Sequence, residues 1–292
     1  MHCSIIMKTI LILKKTRAVA PYIVDIMAET WRELGHRVIE HIGVDNPPAA
    51  DVLFLHVDRT VVPDEFLRLA LQYPVAVNGA ARDISRRLYS TAMLTRNDSY
   101  RGPVIVKTNA NYGGIPENGS ASRLVKVARK FFPKEHAAAI CQVASWRRLT
   151  VLNPLYYPIF AGIDRVPAGV WRNERLIVEK FLPEKEGGRH YVRYWTFFGD
   201  VNLTGRQGSV SPIVKFGNSE ASDVSVEVPQ KLHRVRRMLG LDYGRIDFVM
   251  HEGEPVVLDA NKTQSAGILT ALSNWPLPCR ATASFSTMPS EG

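Results

Sequence analysis

Four polar side chains near the C-terminal end of the chain alternate with apolar residues, a pattern typical of two adjacent strands. Residues 243–250 carry Arg245 and Asp247, and residues 255–262 carry Asp259 and Asn261. Successive side chains of a strand point to opposite faces, so each pair shares a face. Carboxylate and amide oxygens suit Mg²⁺ together with substrate phosphates, and a guanidinium suits an anion. The sequence therefore indicates a site for Mg²⁺ and an anionic ligand.

The turn between these strands decides whether the two aspartates meet. Pairing of His251 with Glu254 across a two-residue turn puts the aspartates on opposite faces of the hairpin. Pairing of His251 with Pro255, or a bulge, puts them on the same face. The alternative to a site is an exposed hairpin with scattered charges. Interleaved apolar residues are expected to face a core, namely Ile246, Phe248, Met250, Val256 and Leu258.

Two further segments contain groups that suit a nucleotide. Lys107 ends an apolar run, and the pair Gly113-Gly114 follows in a polar loop, where glycine lets backbone amides approach a phosphate. Residues 179–186 run from an apolar strand into acids, which could offer backbone groups to a purine and a carboxylate to ribose. A surface lysine and an edge strand entering a charged loop are the alternatives. Neither the Gly-x-x-x-x-Gly-Lys-Ser/Thr loop nor an early Gly-x-Gly-x-x-Gly motif is present.

Composition places the chain among ordinary globular proteins with an excess of positive charge. Its 292 residues are 46% hydrophobic and 22% charged, enough for two or three packed units. No apolar run approaches the roughly 20 residues of a membrane helix, so no membrane partner is expected. The net charge of +9 favours anionic partners, but no long basic run predicts nucleic-acid binding. The three cysteines have no metal or disulfide spacing, which indicates a cytoplasmic location.

The periodicity predicts the elements that must position these residues. Strands at 8–15, 36–42, 51–56 and 74–78 alternate with helices at 18–35 and 63–72, which favours a small parallel sheet. A linking helix is predicted at 80–93, strands at 103–107, 175–182 and 191–198, and helices at 120–132 and 228–241. Residues 133–165 have no clear pattern, and 276–292 are predicted to be a frayed tail.

Taken in order, these pieces resemble the ATP-grasp superfamily, over about residues 75–270. The strand lysine, the glycine-rich loop, the Glu-Lys-Phe-Leu segment at 179–182, an arginine-bearing strand, Arg-x-Asp and Asp-x-Asn follow the order of that family. The Glu-Lys-Phe-Leu segment is similar to the adenine segment of D-alanine–D-alanine ligases, and glutathione synthetase-like enzymes belong to the same type. The resemblance implies an α/β (α+β) fold with a parallel N-terminal domain at 1–79 and an ATP-grasp domain at 80–275. The nucleotide would lie between two lobes, the smaller at roughly 100–182, and the tail would follow at 276–292.

The resemblance also implies roles for individual residues. Those expected to bind ATP are Lys107, Gly113, Gly114, Glu179, Lys180, Phe181, Leu182 and Glu186, with Glu184 the alternative for ribose. The Mg²⁺ ligands would be Asp247, Asp259 and Asn261, and the catalytic arginines would be Arg245, Arg193 and Arg206, with Lys215 a weaker candidate. The chain departs from the family in having Arg86 and Arg87 where a second phosphate-binding lysine is expected. It also has Asp259 where glutamate is usual and Lys262 where proline is common.

The implied activity is an ATP- and Mg²⁺-dependent ligation. A carboxylate would be activated as an acyl phosphate and attacked by an amine, with release of ADP and phosphate. The expected partners are a small-molecule carboxylate and amine, and many relatives of this kind pair as homodimers. A small-molecule kinase on the same scaffold and a nucleotide-binding regulator without turnover are the alternatives.

Overall fold

The computed structural model describes residues 7–17, 21–118, 146–222 and 225–266. The strands are β1 (Thr9–Lys14), β2 (Arg37–Ile42), β3 (Val52–His56), β4 (Val75–Val77), β5 (Met93–Leu94), β6 (Val104–Thr108), β7 (Ile159–Phe160), β8 (Leu176–Lys180), β9 (Glu184–Glu186), β10 (Arg189–Phe198), β11 (Val201–Ser209), β12 (Glu220–Ser222), β13 (Tyr243–His251) and β14 (Glu254–Asn261). The helices are α1 (Ile23–Glu33), α2 (Asp64–Ala70), α3 (Arg86–Tyr89), α4 (Ala168–Trp171) and α5 (Gln230–Met238). The predicted α/β class is confirmed.

The first sheet has the order β2-β1-β3-β4, and all of its strands are parallel. Its central strands β1 and β3 are buried along almost their whole length, and most of their residues are apolar, as expected where helices cover both faces. Ile10 and Ile12 of β1 pack with α1, whereas Leu11 and Leu13 pack with α2. Helix α1 begins at Ile23, later than the predicted start at residue 18, and residues 18–20 lie outside the described part of the chain.

The largest sheet is antiparallel, with the order β12-β11-β10-β13-β14 and β9 paired to β10. One of its faces packs against α5, because apolar side chains of β10 and β13 alternate with polar ones. Trp195 and Phe248 from the sheet meet Leu232 and Val235 from the helix in this core. The opposite face of β13 is left for the polar residues of the predicted site.

The third sheet has the order β5-β8-β6-β7 and is also antiparallel. Val104 and Val106 of β6 and Val178 of β8 form its core together with Leu152 and Tyr157 from the segment before β7. This sheet carries Lys107, and the Glu-Lys-Phe-Leu segment begins on its strand β8, so it positions five of the eight residues predicted to bind ATP.

Asn78 links the first sheet to the largest one through hydrogen bonds. Its side-chain oxygen accepts hydrogen bonds from the backbone amides of Asp242 (2.9 Å) and Tyr243 (3.0 Å), and its amide donates to the Tyr243 carbonyl (2.9 Å). The backbone of Asn78 has φ 58°, which asparagine tolerates better than most residues. The start of β13 is therefore held in a fixed position relative to the parallel sheet.

The predicted linking helix at 80–93 is wrong, since only the four residues of α3 are helical and Met93–Leu94 is a strand. The backbone amide of Ile84 donates to the Thr60 carbonyl (3.0 Å), and that of Val62 donates to the Arg82 carbonyl (2.8 Å). These long-range bonds tie the segment to the loop after β3 and prevent an earlier helix. The predicted helix at 120–132 and the predicted tail lie outside the described residues. Within the described ranges, no helix has the length and apolarity to span a membrane.

Candidate nucleotide and metal site

The hairpin of β13 and β14 contains a bulge that brings the two aspartates opposite each other. His251 pairs with Glu254, but the register shifts between Asp247 and Phe248, so Asp247 pairs with Asp259. The two-residue turn has positive φ at Glu252 (51°) and Gly253 (81°), as tight hairpin turns require. Of the two arrangements that bring the aspartates together, the structure contains the one with a bulge.

The bulge changes which apolar residues of β14 face the core. Phe248 pairs with Val257, and Val257 and Ala260 join the core under α5. Val256 and Leu258 instead pack in a separate apolar cluster on the other side of the sheet, so the expectation that all five interleaved residues face one core is wrong. The extra residue reverses the alternation of side chains along β14, which a regular strand pattern cannot reveal.

Two basic side chains hold the carboxylate of Asp259. The Arg86 guanidinium donates to Oδ1 (2.9 Å), and the Lys215 ammonium lies 3.3 Å from Oδ2. Burial raises the pKa of Asp259, but Arg86, Lys215 and Lys107 outweigh it and hold the pKa below its usual value. The carboxylate is therefore ionised at neutral pH and suited to a divalent cation. Arg86 also donates to the Thr108 carbonyl (3.0 Å), which fixes its position.

The other three residues of the predicted cluster share this face. Arg245 pairs across the strands with Asn261, two residues from the pairing of Asp247 with Asp259. The Arg245 Nε lies 2.5 Å from Asp247 Oδ1, and Asn261 Oδ1 accepts a hydrogen bond from the Thr263 amide (2.8 Å). Among the described residues no group of three His, Cys, Asp or Glu side chains could hold a metal. Two carboxylates with one amide oxygen nevertheless fit Mg²⁺, which takes its remaining ligands from phosphate and water.

Lys107 and Glu179 form a buried ion pair beside the hairpin. Their charged atoms lie 2.7 Å apart, and the side chains are 9% and 3% exposed. Burial lowers the pKa of Lys107, and the attraction of Glu179 opposes that shift. The Ser90 hydroxyl donates to the second oxygen of Glu179. Glu179 thus holds the ammonium of Lys107 in place from the side of the third sheet.

A cleft separates the third sheet from the largest sheet. Arg86, Lys107, Lys215 and Asp247 are among the side chains that line it. The side chains that form its wall are Arg86, Ile105, Lys107, Tyr157, Lys180, Phe181, Leu182, Pro183, His190, Tyr191, Val192, Pro212, Ile213, Val214, Lys215, Asp247, Val249 and Leu258. Four cations and one carboxylate lie among apolar side chains there. A cleft of this kind can take a molecule that is apolar at one end and anionic at the other.

Several solved structures similar to this chain are ATP-grasp ligases. The chain is similar to the ATP-grasp ligase PsnB complexed with precursor peptide PsnA2 and AMPPNP (11% identity, TM-score 0.56), covering 97% of this chain and 99% of that one. It is also similar to PsnB with a minimal precursor, Mg and ADP (12%, TM-score 0.56, 96% and 98% covered). A third likeness is to a Chryseobacterium gregarium RiPP-associated ATP-grasp ligase in complex with ADP and a leader and core peptide (12%, TM-score 0.53, 97% and 98% covered). No family model and no curated protein matches the chain.

This chain has the ATP-grasp fold. The resemblance inferred from the motifs and the architecture agree, although identities near 12% establish the fold alone.

Three of the four residues of the Glu-Lys-Phe-Leu segment form part of the wall of the cleft in this ATP-grasp fold. Lys180, Phe181 and Leu182 line the cleft, whereas Glu179 lies behind Lys107. The backbone amides of Lys180 and Phe181 donate to the carbonyls of Ala92 (2.8 Å) and Pro103 (2.9 Å), the residues just before β5 and β6. These bonds fix the direction of the segment as it leaves β8.

Gly113 and Gly114 lie in the turn just after Lys107. In the described part of the chain, they are not among the residues that line the cleft. Both have positive φ (67° and 74°), so a side chain there would strain the backbone. A Cβ on Gly113 would lie 2.0 Å from the Leu152 carbonyl oxygen. Glycine is needed at Gly113 for this close approach, and the predicted contact of both glycines with phosphates stays a prediction.

Arg193 and Arg206 lie on the other face of the largest sheet from Asp247. Arg193 pairs across the strands with both Arg206 and Phe248, and Phe248 packs under α5. Arg193 holds both oxygens of Glu184 (2.9 and 3.0 Å), and Arg206 reaches Glu184 (3.1 Å) and Glu186 (2.5 Å). This placement does not bring the two predicted catalytic arginines, or either candidate ribose acid, into the wall of the cleft.

Lys262, which departs from the usual ATP-grasp pattern, is buried beside the hairpin. Its ammonium donates to the carbonyls of Arg59 and Thr60 in the loop after β3. Burial lowers the pKa of Lys262 to about 8, and the nearby carboxylate of Asp58 opposes the shift. Lys262 therefore connects the end of β14 to the parallel sheet.

The structure distinguishes between the two arginines named for the position of the second lysine, and it adds two residues that the sequence pattern did not single out. Arg86 reaches the cleft and Arg87 does not. Arg87 instead donates to the carbonyls of Glu174 and Leu176. Tyr157 and His190 also line the cleft. Tyr157 falls in a segment without periodicity, so no sequence signal pointed to it.

Proposed function

We propose that this chain is an ATP- and Mg²⁺-dependent ligase that activates a carboxylate as an acyl phosphate for attack by an amine. The bulged hairpin carries this proposal, because it sets Asp247 opposite Asp259 beside a cleft lined by cations. A regular hairpin would separate the two carboxylates. The ATP-grasp fold adds support, since the proposed site occupies the cleft between two of its sheets.

Each end of the cleft suits one part of ATP. Apolar side chains around Phe181 and Leu182 would receive the adenine, and Lys107, Arg86 and Lys215 would bind the phosphates. The three ligands proposed for Mg²⁺ are Asp247, Asp259 and Asn261. When bound, the ion would neutralise charge on the phosphates and orient them.

The cations of the cleft would carry the electrostatic part of the reaction. Attack of a carboxylate on a phosphoryl group brings two anions together, and fixed positive charges offset the charge that develops. Lys107 and Arg86 are already held by Glu179 and Asp259, so little reorganisation is needed. Arg245, which is held beside Asp247, would steady the transferred phosphate or the acyl phosphate.

The proposed carboxylate and amine substrates cover a broad chemical class. PsnB and the Chryseobacterium gregarium ligase are described with bound peptides, so a peptide carboxylate or amine joins small molecules among the proposed substrates. We further propose the division into a 1–79 domain, an 80–275 ATP-grasp domain and a 276–292 tail. A cytoplasmic location and a homodimer remain predictions.

Product analysis tests this function. The protein is incubated with ATP, Mg²⁺ and pools of carboxylic acids, amines and short peptides, and products are followed by mass spectrometry and phosphate release. A ligase releases ADP and phosphate only when acid and amine are both present, and an amide appears. Asp259→Asn should abolish this turnover, whereas the exposed Asp164→Asn should not.

Two other outcomes would overturn the proposal. A phosphorylated product without an amide would identify a kinase. Nucleotide binding without turnover across all pools, with an intact fold by circular dichroism, would identify a regulator.

A further inference from the structure

Tyr157 has a buried hydroxyl that the described part of the chain leaves without a hydrogen-bond partner. The residue is 4% exposed, and its ring packs in the core of the third sheet with Val104 and Leu152. A buried hydroxyl without a partner costs stability, since the water it loses is not replaced. The ring alone would serve the core, so the hydroxyl calls for another explanation.

Tyr157 shares the wall of the cleft with the two cations that hold Asp259. Arg86 and Lys215 line the same cleft as Tyr157, and they contact the two carboxylate oxygens of Asp259 at 2.9 and 3.3 Å. The wall therefore combines this hydroxyl with two fixed positive charges.

A ligand that met this hydroxyl would need an oxygen acceptor and a negative charge. Arg86 and Lys215 supply positive charge, and the phenol supplies a neutral donor with a fixed direction. Phosphate oxygens satisfy both requirements, because a hydroxyl bond to a charged oxygen is stronger than one to a neutral oxygen.

We infer that the Tyr157 hydroxyl donates a hydrogen bond to the terminal phosphates of the bound nucleoside triphosphate. This inference rests on the proposed function, since it needs the phosphates beside Asp259. Tyr157 then discriminates between nucleotides by the number of their phosphates. Its ring remains part of the core in both the free and the bound protein.

Tyr157→Phe separates the hydroxyl from the ring. Binding of the ATP analogue AMPPNP and of AMP, each with Mg²⁺, is measured by titration calorimetry, and unfolding of the nucleotide-free protein is followed in urea. AMPPNP affinity should fall about tenfold to a hundredfold, as for the loss of a hydrogen bond to a charged group. AMP affinity should stay unchanged, and the urea midpoint should stay equal or rise. Tyr156→Phe, at the exposed neighbouring position, is the control and should change neither.

Several results would overturn the inference. Equal AMPPNP affinity for Tyr157→Phe and the wild type would show that the hydroxyl makes no phosphate contact. An equal loss for AMP and AMPPNP, or a lower urea midpoint, would show a structural role. Failure of the wild type to bind AMPPNP would instead refute the proposed function, and this inference with it.

Discussion

Replacing Lys107 with methionine removes one partner of a buried ion pair and leaves the other in place. Glu179 would keep its hydrogen bond from Ser90 but lose the ammonium 2.7 Å away, at a site where its side chain is 3% exposed. Removing one partner of such a pair costs about 3–5 kcal/mol, because the remaining charge is uncompensated. Removing both charges in Lys107→Met/Glu179→Gln should restore part of the stability, since neither member of the pair then leaves an unpaired charge.

Urea denaturation of the two single variants, the double variant and the wild type gives the coupling energy between Lys107 and Glu179. The exposed pair Arg32–Glu29, with side chains 37% and 72% exposed, is the matched control. Glu29→Gln should cost about 1 kcal/mol or less. The reasoning is refuted if Lys107→Met costs as little as Glu29→Gln, because the pair would then not be buried as described.

Two further predictions concern His56 and the glycine turn. Burial and then Lys14 lower the pKa of His56 to about 3. As the pH falls below about 6.5, the imidazole is therefore protonated in the unfolded chain but stays neutral in the folded protein. Stability should fall by about 1.4 kcal/mol per pH unit below that point, and urea midpoints at several pH values should show a smaller slope for His56→Gln. Gly113→Ala forces a Cβ to 2.0 Å from a carbonyl oxygen at positive φ, whereas Gly187→Ala at φ 55° meets nothing within 4 Å. Thermal unfolding should show a loss of about 2–4 kcal/mol at Gly113 and about 1 kcal/mol at Gly187.

The parallel sheet and the hairpin could be predicted because their signals are local. Continuous apolar runs such as Val52–His56 mark strands covered on both faces, and alternation marks β13. The residues of the proposed site could also be predicted from the sequence, since carboxylates and an arginine at two-residue spacing share a face.

The remaining features depend on contacts that are distant in sequence. The bulge at Leu258 leaves no mark in the residue pattern, yet it determines where Asp259 lies. The short helix α3 results from hydrogen bonds to the loop after β3, and not from propensity. Arg193 was predicted to be catalytic, whereas its pairing with Phe248 puts it on the opposite face of the sheet from Asp247. The order of the motifs indicated the fold, and only tertiary packing decided which side chains reach the cleft.

Anomalous scattering from Mn²⁺ in crystals grown with AMPPNP tests the metal site most directly. Mn²⁺ takes the oxygen ligands of Mg²⁺ and can be located without ambiguity. The account predicts an anomalous peak within about 2.5 Å of oxygen atoms of Asp247 and Asp259, with Asn261 and phosphate completing the ligands. A nucleotide in the cleft with the peak elsewhere, or with the two aspartates directed away from it, would contradict the account.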